Sequence, residues 1–517
     1  MFKSSAAILA AFLFLYLPAG ALSAQDVTLT ARDGSMEIDG HLRGFDGEFY
    51  RIETDVGVLT VDSAGVRCDG PACPDILDYV ATVRISGDPR VVGNVVPALL
   101  SSFASRAGLK TAQEGDTVTL VDETTGGGIA NFTLSQTSNA EGFADLLTEN
   151  GDIVASTREI TQRENEMARQ AGVGDLTDPF RARVVALDAL VPIVSRSNTL
   201  GAVSVRDLAR LFAGEVTNWN EISQRDAPVV LHLHQDDVER RGPFWRLVMS
   251  PYDQPLSEQV VLHTSYETLS DAVEADPYAI GIGRLSQRGE VGTLSVSGGC
   301  GFFADAAPMD VKTEDYPMTR PVFFYTPARR LPKVARDFLD FVVSPAAQIV
   351  IARTAFVDQG VEELSFRVQG RRFANAIAQS GEEVSLDDIK NVTGALQGAK
   401  RLTLGFRFED GSVRLDAPSR SNALQLAGLL EAGVYDGRSL LFAGFSDGNG
   451  SASVNQTLST RRAQAVRDTV LAAVNDTFDA TRVTIEAQGY GEVMPLACDD
   501  VGWGRSLNRR VEVWVRD

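Results

Sequence analysis

The sequence predicts a multidomain chain in which a small antiparallel β module precedes α/β domains that run to the C-terminus. Three observations carry that prediction. The 517 residues exceed what one hydrophobic core serves and correspond to roughly three domains on a length prior. Short alternating apolar runs, separated by Asp-Gly, Gly and acidic turns, fill residues 26 to about 67, which is the pattern of half-buried strands. From Val83 onward strands, small polar loops and helix-period segments alternate, as in α/β folds whose ligand-facing loops sit at strand ends.

The chain opens on an export signal. Lys3 gives a charged start, residues 6–17 an apolar core, and Ala21-Leu22-Ser23-Ala24 a small-residue exit, so residues 1–24 read as a signal peptide and the mature chain as exported. No later apolar run reaches the ~20 residues a membrane helix needs. The net charge of −21 disfavours nonspecific binding to nucleic acid or to an anionic membrane surface, so an anionic ligand requires a local positive site. Four cysteines are present. Cys68 and Cys73 bracket Asp-Gly-Pro-Ala, a turn that brings them together as a local disulfide at the end of the β module, residues 25–78. Cys300 and Cys498 fall in different expected domains and are either an interdomain bridge or two free thiols.

In the middle of the chain Val83-Arg84-Ile85-Ser86-Gly87 is a strand leading into a polar loop. Val95, Leu99, Leu100, Phe103 and Ala107 then mark one face of a helix. A strand, a loop and a helix start together offer backbone amides to an oxyanion. Strands are expected at residues 117–122, 129–134 and 152–155, the last followed by the polar loop Ser156-Thr157-Arg158-Glu159, and a second long apolar run at 184–194 holds Asp188 and Pro192. Further motifs follow: Leu211-Phe212-Ala213-Gly214-Glu215-Val216-Thr217-Asn218-Trp219, Ala279-Ile280-Gly281, Asp315-Tyr316-Pro317, and Phe338-Leu339-Asp340-Phe341 ahead of Ser344-Pro345. In this order they resemble periplasmic solute-binding proteins of the phosphate-binding type. The resemblance implies two α/β lobes joined by two crossings, closing on a ligand over residues 79–360. It brings phosphate or another small anion into view as ligand and an ABC transporter as partner.

Ser86, Ser156, Thr157 and Arg158 match the family's anion loops, and Asp188 is the candidate carboxylate that accepts a proton from phosphate. Arg240, Arg241 and Gly242 stand where the family carries Ser-Gly-Thr, supplying charge and a turn without the hydroxyls. The first loop reads Gly87-Asp88-Pro89-Arg90, and a carboxylate there repels an anion unless it is turned away.

Residues 361–400 read as a partly helical connector, with amphipathic pieces at 373–377 and 386–396. In the last stretch, residues 439–445 form a buried strand, Asp447-Gly448-Asn449-Gly450 a turn, and a helix follows with Ser459 in its first turn and Ala463, Val466 and Val470 on its buried face. Asp447 and Arg462 converge as an acid and a base able to hold the ammonium and carboxylate of an amino acid. Ser446, Asp447, Asn455, Leu458, Ser459, Arg462 and Ala463, then Gly489-Tyr490-Gly491-Glu492, Pro495, Gly504-Arg505 and Asn508-Arg509-Arg510-Val511-Glu512-Val513, resemble the OmpA-like peptidoglycan-binding domain over residues 401–517. That resemblance implies that Asp447 and Arg462 grip the diaminopimelate of the stem peptide with Asn455 and Arg510 in support. Phe445 stands where many members have His, and Ser446 where they have Thr.

The expected function is capture of a small anion, phosphate foremost, by a periplasmic protein tethered to peptidoglycan and associated with the outer membrane, without catalysis, cofactor or metal. One alternative is a structural envelope protein with a degenerate cleft, favoured by the missing Ser-Gly-Thr loop. The other is an envelope metalloenzyme built on His232, His234 and His263, two of which alternate on a strand and so share a face.

Overall fold

A computed structural model describes residues 26–517 other than 77, 239–241, 301, 380–383 and 410–411; the signal peptide, Arg240 and Arg241 lie outside the described residues. The described chain divides into two compact units, one ending at Tyr79 and one beginning at Val80.

The first unit is a five-stranded antiparallel sheet in the order Gly57–Asp62, Phe49–Thr54, Glu37–Phe45, Val27–Ala31, Val66–Asp69. Side-chain alternation sends Val27, Leu29, Tyr50, Ile52 and Val66 into one small core. A core of that size is marginal alone, and the Cys68–Cys73 disulfide closes the turn after the last strand.

In the second unit a large mixed sheet carries both lobes. In the first lobe Ala81–Gly87 lies between the parallel strands Ile153–Ser156 and Gly128–Gln136. In the second lobe Val230–His234 lies between the parallel strands Ala279–Arg284 and Val261–His263. The 13-residue strand Ala182–Val194 joins them. Its first part pairs with Thr319–Tyr325, up to the Ala189–Thr319 pair, and its remainder, from Leu190, with Ala279–Arg284. Twelve of its thirteen residues are buried, which explains its near-continuous apolar text: a strand covered on both faces has no polar side to display. Asp188 interrupts that run where pairing passes from one partner strand to the other, opposite Arg320.

The C-terminal α/β domain has the sheet order Glu363–Ser365, Lys400–Arg407, Arg510–Arg516, Ser439–Gly444, Thr484–Gly489. Helices Ala417–Glu431 and Ala452–Ala473 cover one face, packing Leu426, Leu430, Ala463, Val466 and Val470 on Leu402, Leu404, Val511 and Val513. The connector helices Gly370–Ala378 and Leu386–Leu396 cover the other, with Ala376, Ile389, Val392 and Leu396 against Ala443, Phe445 and Trp514. The helix expected to begin near Ser459 begins at Ala452. Ser451 caps it by accepting from the Val454 N–H, and Ser459 lies two turns inside, completely buried.

The two-lobed and C-terminal domains are fastened together. Cys300 and Cys498 form a disulfide, and Gly298 pairs with Ala497 as a short parallel bridge. Beside this link lies a buried ion cluster. Arg401 holds Asp315 through both terminal nitrogens, at 2.5 and 3.0 Å. Glu512 receives Arg372, Arg510 Nε at 2.7 Å and the Trp514 indole at 3.1 Å. Burial alone would raise both carboxyls, yet the surrounding arginines hold Asp315 down at about 2 and Glu512 well below the usual range.

Candidate functional site

Two sites emerge, one in the cleft between the lobes and one at the tip of the C-terminal domain. The cleft is built where the strand Ala81–Gly87 ends. Gly87 has φ of +136° and lies so close to the neighbouring strand that a Cβ would fall 2.0 Å from the Ala155 oxygen, so this turn admits only glycine. The chain then enters a helix, and Asp88, only 6% exposed, caps it: Oδ1 accepts from the N–H groups of Arg90 at 3.0 Å and Val91 at 3.3 Å. Its other oxygen accepts the Thr157 hydroxyl at 3.2 Å and faces Arg284 Nη1, from the second lobe, at 3.6 Å. Asp88 is therefore directed into the cleft and not away from it.

Two further arginines complete the seam. Arg90 reaches across to the Ser286 carbonyl at 3.1 Å, and Arg320 donates to the Thr157 carbonyl at 3.0 Å. The Arg284 guanidinium lies 4.8 Å from the Tyr266 ring centre, and the Tyr266 hydroxyl donates to Asp237 Oδ2 at 2.9 Å. Asp237 Oδ1 is buried without a hydrogen-bond partner, as is the Ser86 hydroxyl. Burial pushes the Asp237 carboxyl up, against the pull of Arg284 and Arg320.

The residues expected to hold an anion are dispersed. Thr157 lines the cleft, bonded to Asp88 and Asn139. Ser156 donates to the Arg158 carbonyl. Arg158 forms a two-pronged pair with Glu164 at 2.7 and 2.8 Å and stacks over Phe143. Asp188 has both oxygens engaged, by the backbone N–H groups of Ala189 and Ser286 and the Ser286 hydroxyl. Gly242 is buried, with its carbonyl accepting from the Arg246 N–H. Arg284, Arg320, Asp237 and Tyr266 were not found by sequence reasoning. The one available signal was the end of a core strand, where Arg284 follows Ala279-Ile280-Gly281-Ile282-Gly283. The three histidines also have local partners: His232 Nδ1 lies 2.9 Å from His263 Nε2, and His234 stacks on Tyr266 and bonds the Thr264 carbonyl.

At the tip of the C-terminal domain, Asp447 and Arg462 come from the strand end and the facing helix. Asp447 is 8% exposed, accepts from the Asn449 N–H at 3.2 Å and pairs with Arg509 Nη1 at 3.0 Å. Arg462 is 7% exposed, lies over the Phe408 ring at 5.4 Å, and its Nε has no partner. Among the described residues no carboxylate pairs with Arg462. Burial, and next the charge of Arg509, lower its pKa, against the opposing pull of Asp447. Asn455 is fully buried and donates to Glu492 at 3.1 Å, with its Oδ1 left unpartnered. Asp499, next to the Cys498 bridge, accepts from the Gly448 N–H at 2.7 Å and from Asn508 at 2.9 Å. Arg510 lies elsewhere, completely buried over Phe445 and bonded to Glu512 and the Met494 carbonyl. The period of two in the last strand carries the signal: Arg510, Glu512 and Trp514 share one face, so the arginine beside Asp447 is Arg509, just before that strand.

Residues 81–346, half of the chain, match the PBP superfamily domain. The chain belongs to the PBP superfamily. A second match, to the OmpA family, covers residues 407–509. Outer membrane porin F of Pseudomonas aeruginosa is 34% identical over 115 residues, 22% of this PBP-superfamily chain and 31% of the porin. Protein SphX of Synechococcus elongatus is 23% identical over 231 residues, 42% of this chain and 66% of SphX. The chain thus spans about a third of one relative and just under two thirds of the other. Among solved structures, an ABC-type phosphate transport receptor from Vibrio cholerae aligns at 15% identity and a TM-score of 0.40, covering 53% of this chain and 99% of that one. No helix among the described residues is long and apolar enough to cross a membrane.

Proposed function

We propose that the protein is a wall-tethered binding protein of the periplasm: its C-terminal domain grips the stem peptide of peptidoglycan, and its two-lobed domain takes a small anion between the lobes. The observation that carries the tether is the charge arrangement at the tip, where, among the described residues, the nearly buried Arg462 has no carboxylate partner beside the aspartate Asp447. An arginine held that way is poised for an incoming carboxylate, and its planar fork matches one in two-pronged fashion. The ammonium of the same diaminopimelate group would meet Asp447, displacing Arg509, while Asn455 has a spare buried acceptor for a donor of the peptide.

Residues 1–24 then serve as signal peptide, 25–78 as the β module, 79–360 as the anion clamp, 361–400 as connector and 401–517 as anchor. Phosphate is the first anion to test, and an ABC transporter the first recipient. No reaction is assigned to the chain. The tether is tested by co-sedimentation of the mature protein with isolated sacculi. Asp447→Ala and Arg462→Ala are each expected to abolish pelleting, a loss of at least a hundredfold in affinity, while circular dichroism stays unchanged. Parental pelleting of both folded variants would refute the tether.

A further inference from the structure

Where the strand Ala81–Gly87 ends, the cleft holds the Asp88 carboxylate. An oxyanion bound where the strand Ala81–Gly87 gives way to its helix would take backbone N–H groups at the helix start, a hydroxyl from the second loop and a cation from the opposite lobe. The Asp88 carboxylate takes all three: the Arg90 and Val91 N–H groups, the Thr157 hydroxyl, and the Arg284 guanidinium at 3.6 Å. A helix cap accounts for the first pair of contacts. It does not account for the second oxygen, which meets the hydroxyl of another loop and an arginine of the other lobe.

Charge matching points the same way. Arg90, Arg284 and Arg320 line this seam, and Asp88, Asp188 and Asp237 stand among them. Among the described residues these three cations meet three carboxylates of the chain itself, so an added dianion would meet charge already matched. Asp237 Oδ1 and Arg284 Nε nevertheless remain buried without hydrogen-bond partners. Unsatisfied donors and acceptors inside a closed seam are what a removable filling leaves behind.

We infer that Asp88 is a built-in competitor for the anion seat, holding the lobes together through Arg284, and that a tetrahedral oxyanion enters only by displacing it. This rests on the reading of the two-lobed domain as an anion clamp. The inference makes Asp88 a determinant of affinity: replacing its charge while keeping its cap frees Arg284 for an external ligand. Asparagine caps helices as well as aspartate does, so Asp88→Asn isolates the charge.

The experiment is calorimetric titration of the mature full-length protein and of its Asp88→Asn and Asp88→Ser variants with inorganic phosphate, with sulfate in parallel. Thermal unfolding is followed with and without each anion. The expected result is weak phosphate binding by the parent, binding at least tenfold tighter by both variants, and anion-dependent stabilisation larger in the variants than in the parent. Phosphate binding of equal strength in parent and variants would overturn the internal competitor while leaving the anion clamp standing. Folded parent and variants that both ignore phosphate and sulfate would overturn the inference and the anion clamp together. Should Asp88→Ser fail to fold, Asp88→Asn alone decides.

Discussion

The interlobe cleft and the tip of the C-terminal domain are made from the same materials, arginines and aspartates taken largely out of water, and they are finished differently. In the cleft, Arg284 faces Asp88 and Arg320 is tied to the Thr157 carbonyl. At the tip, Asp447 is taken by Arg509, and among the described residues no carboxylate pairs with Arg462. A buried cation matched within the chain stabilises the closed form and resists ligand. One left unmatched costs folding free energy and returns it when a ligand arrives. The difference teaches that the composition of a site says little about its readiness; what decides is whether the chain has supplied the counter-charge.

If the two sites are set independently, the junction between them is where coupling would show. The largest expected effect is from Cys300→Ser with Cys498→Ser. The two residues are separated by 198 positions, and in the chain-entropy account losing so long a loop closure costs ~5 kcal/mol of stability, read as a lower denaturant midpoint. If the sites are independent, sacculus pelleting and anion titration of the folded double variant stay within twofold of the parent. A joint change in both would show that the bridge couples them, as the proximity of Asp499 to the tip would allow.

Somewhat smaller is the effect of Glu512→Gln. It leaves Arg372 and Arg510 without their shared carboxylate in a fully buried place, at a cost of about 3–5 kcal/mol, measurable by urea unfolding. The smallest effects sharpen the cleft itself. In the Asp88→Asn background, Arg284→Ala is expected to lower phosphate affinity at least tenfold, about 1.4 kcal/mol. Arg158→Ala is expected to change it less than twofold, because that guanidinium is spent on Glu164. A reversal of those two results would return the anion to the loop named from sequence.

The fold was legible because its signals are local or periodic. Alternation marked the β module, the run at residues 184–194 marked a strand covered on both faces, and the order of loop motifs marked two lobes. At the tip, the positions of Asp447 at a strand end and Arg462 on the next helix were legible for a similar reason, whereas Arg509, which pairs with Asp447 in place of the expected Arg510, was not. The cleft was not. Arg284, Arg320, Asp237 and Tyr266 meet Asp88 from far along the chain, and nothing local tells an arginine at a strand end which carboxylate it will find. Helix starts blur for a different reason. Ser451 and Ser459 both resemble caps, and only the observed bond to Val454 distinguishes them.

The two disulfides also impose an order of assembly. Four cysteines permit three pairings, but a chain emerging from its N-terminus presents them in sequence. Cys68 and Cys73, five positions apart, can close as soon as both reach an oxidising compartment and ahead of Cys300, which withdraws the only earlier thiols that could capture it. Cys300 must then wait for nearly the whole C-terminal domain, since Cys498 lies close to the last strand, Arg510–Arg516. A chain cut short before that point carries a permanently reactive sulfur on its second lobe. An incomplete molecule is therefore chemically marked, and only the full-length one is sealed.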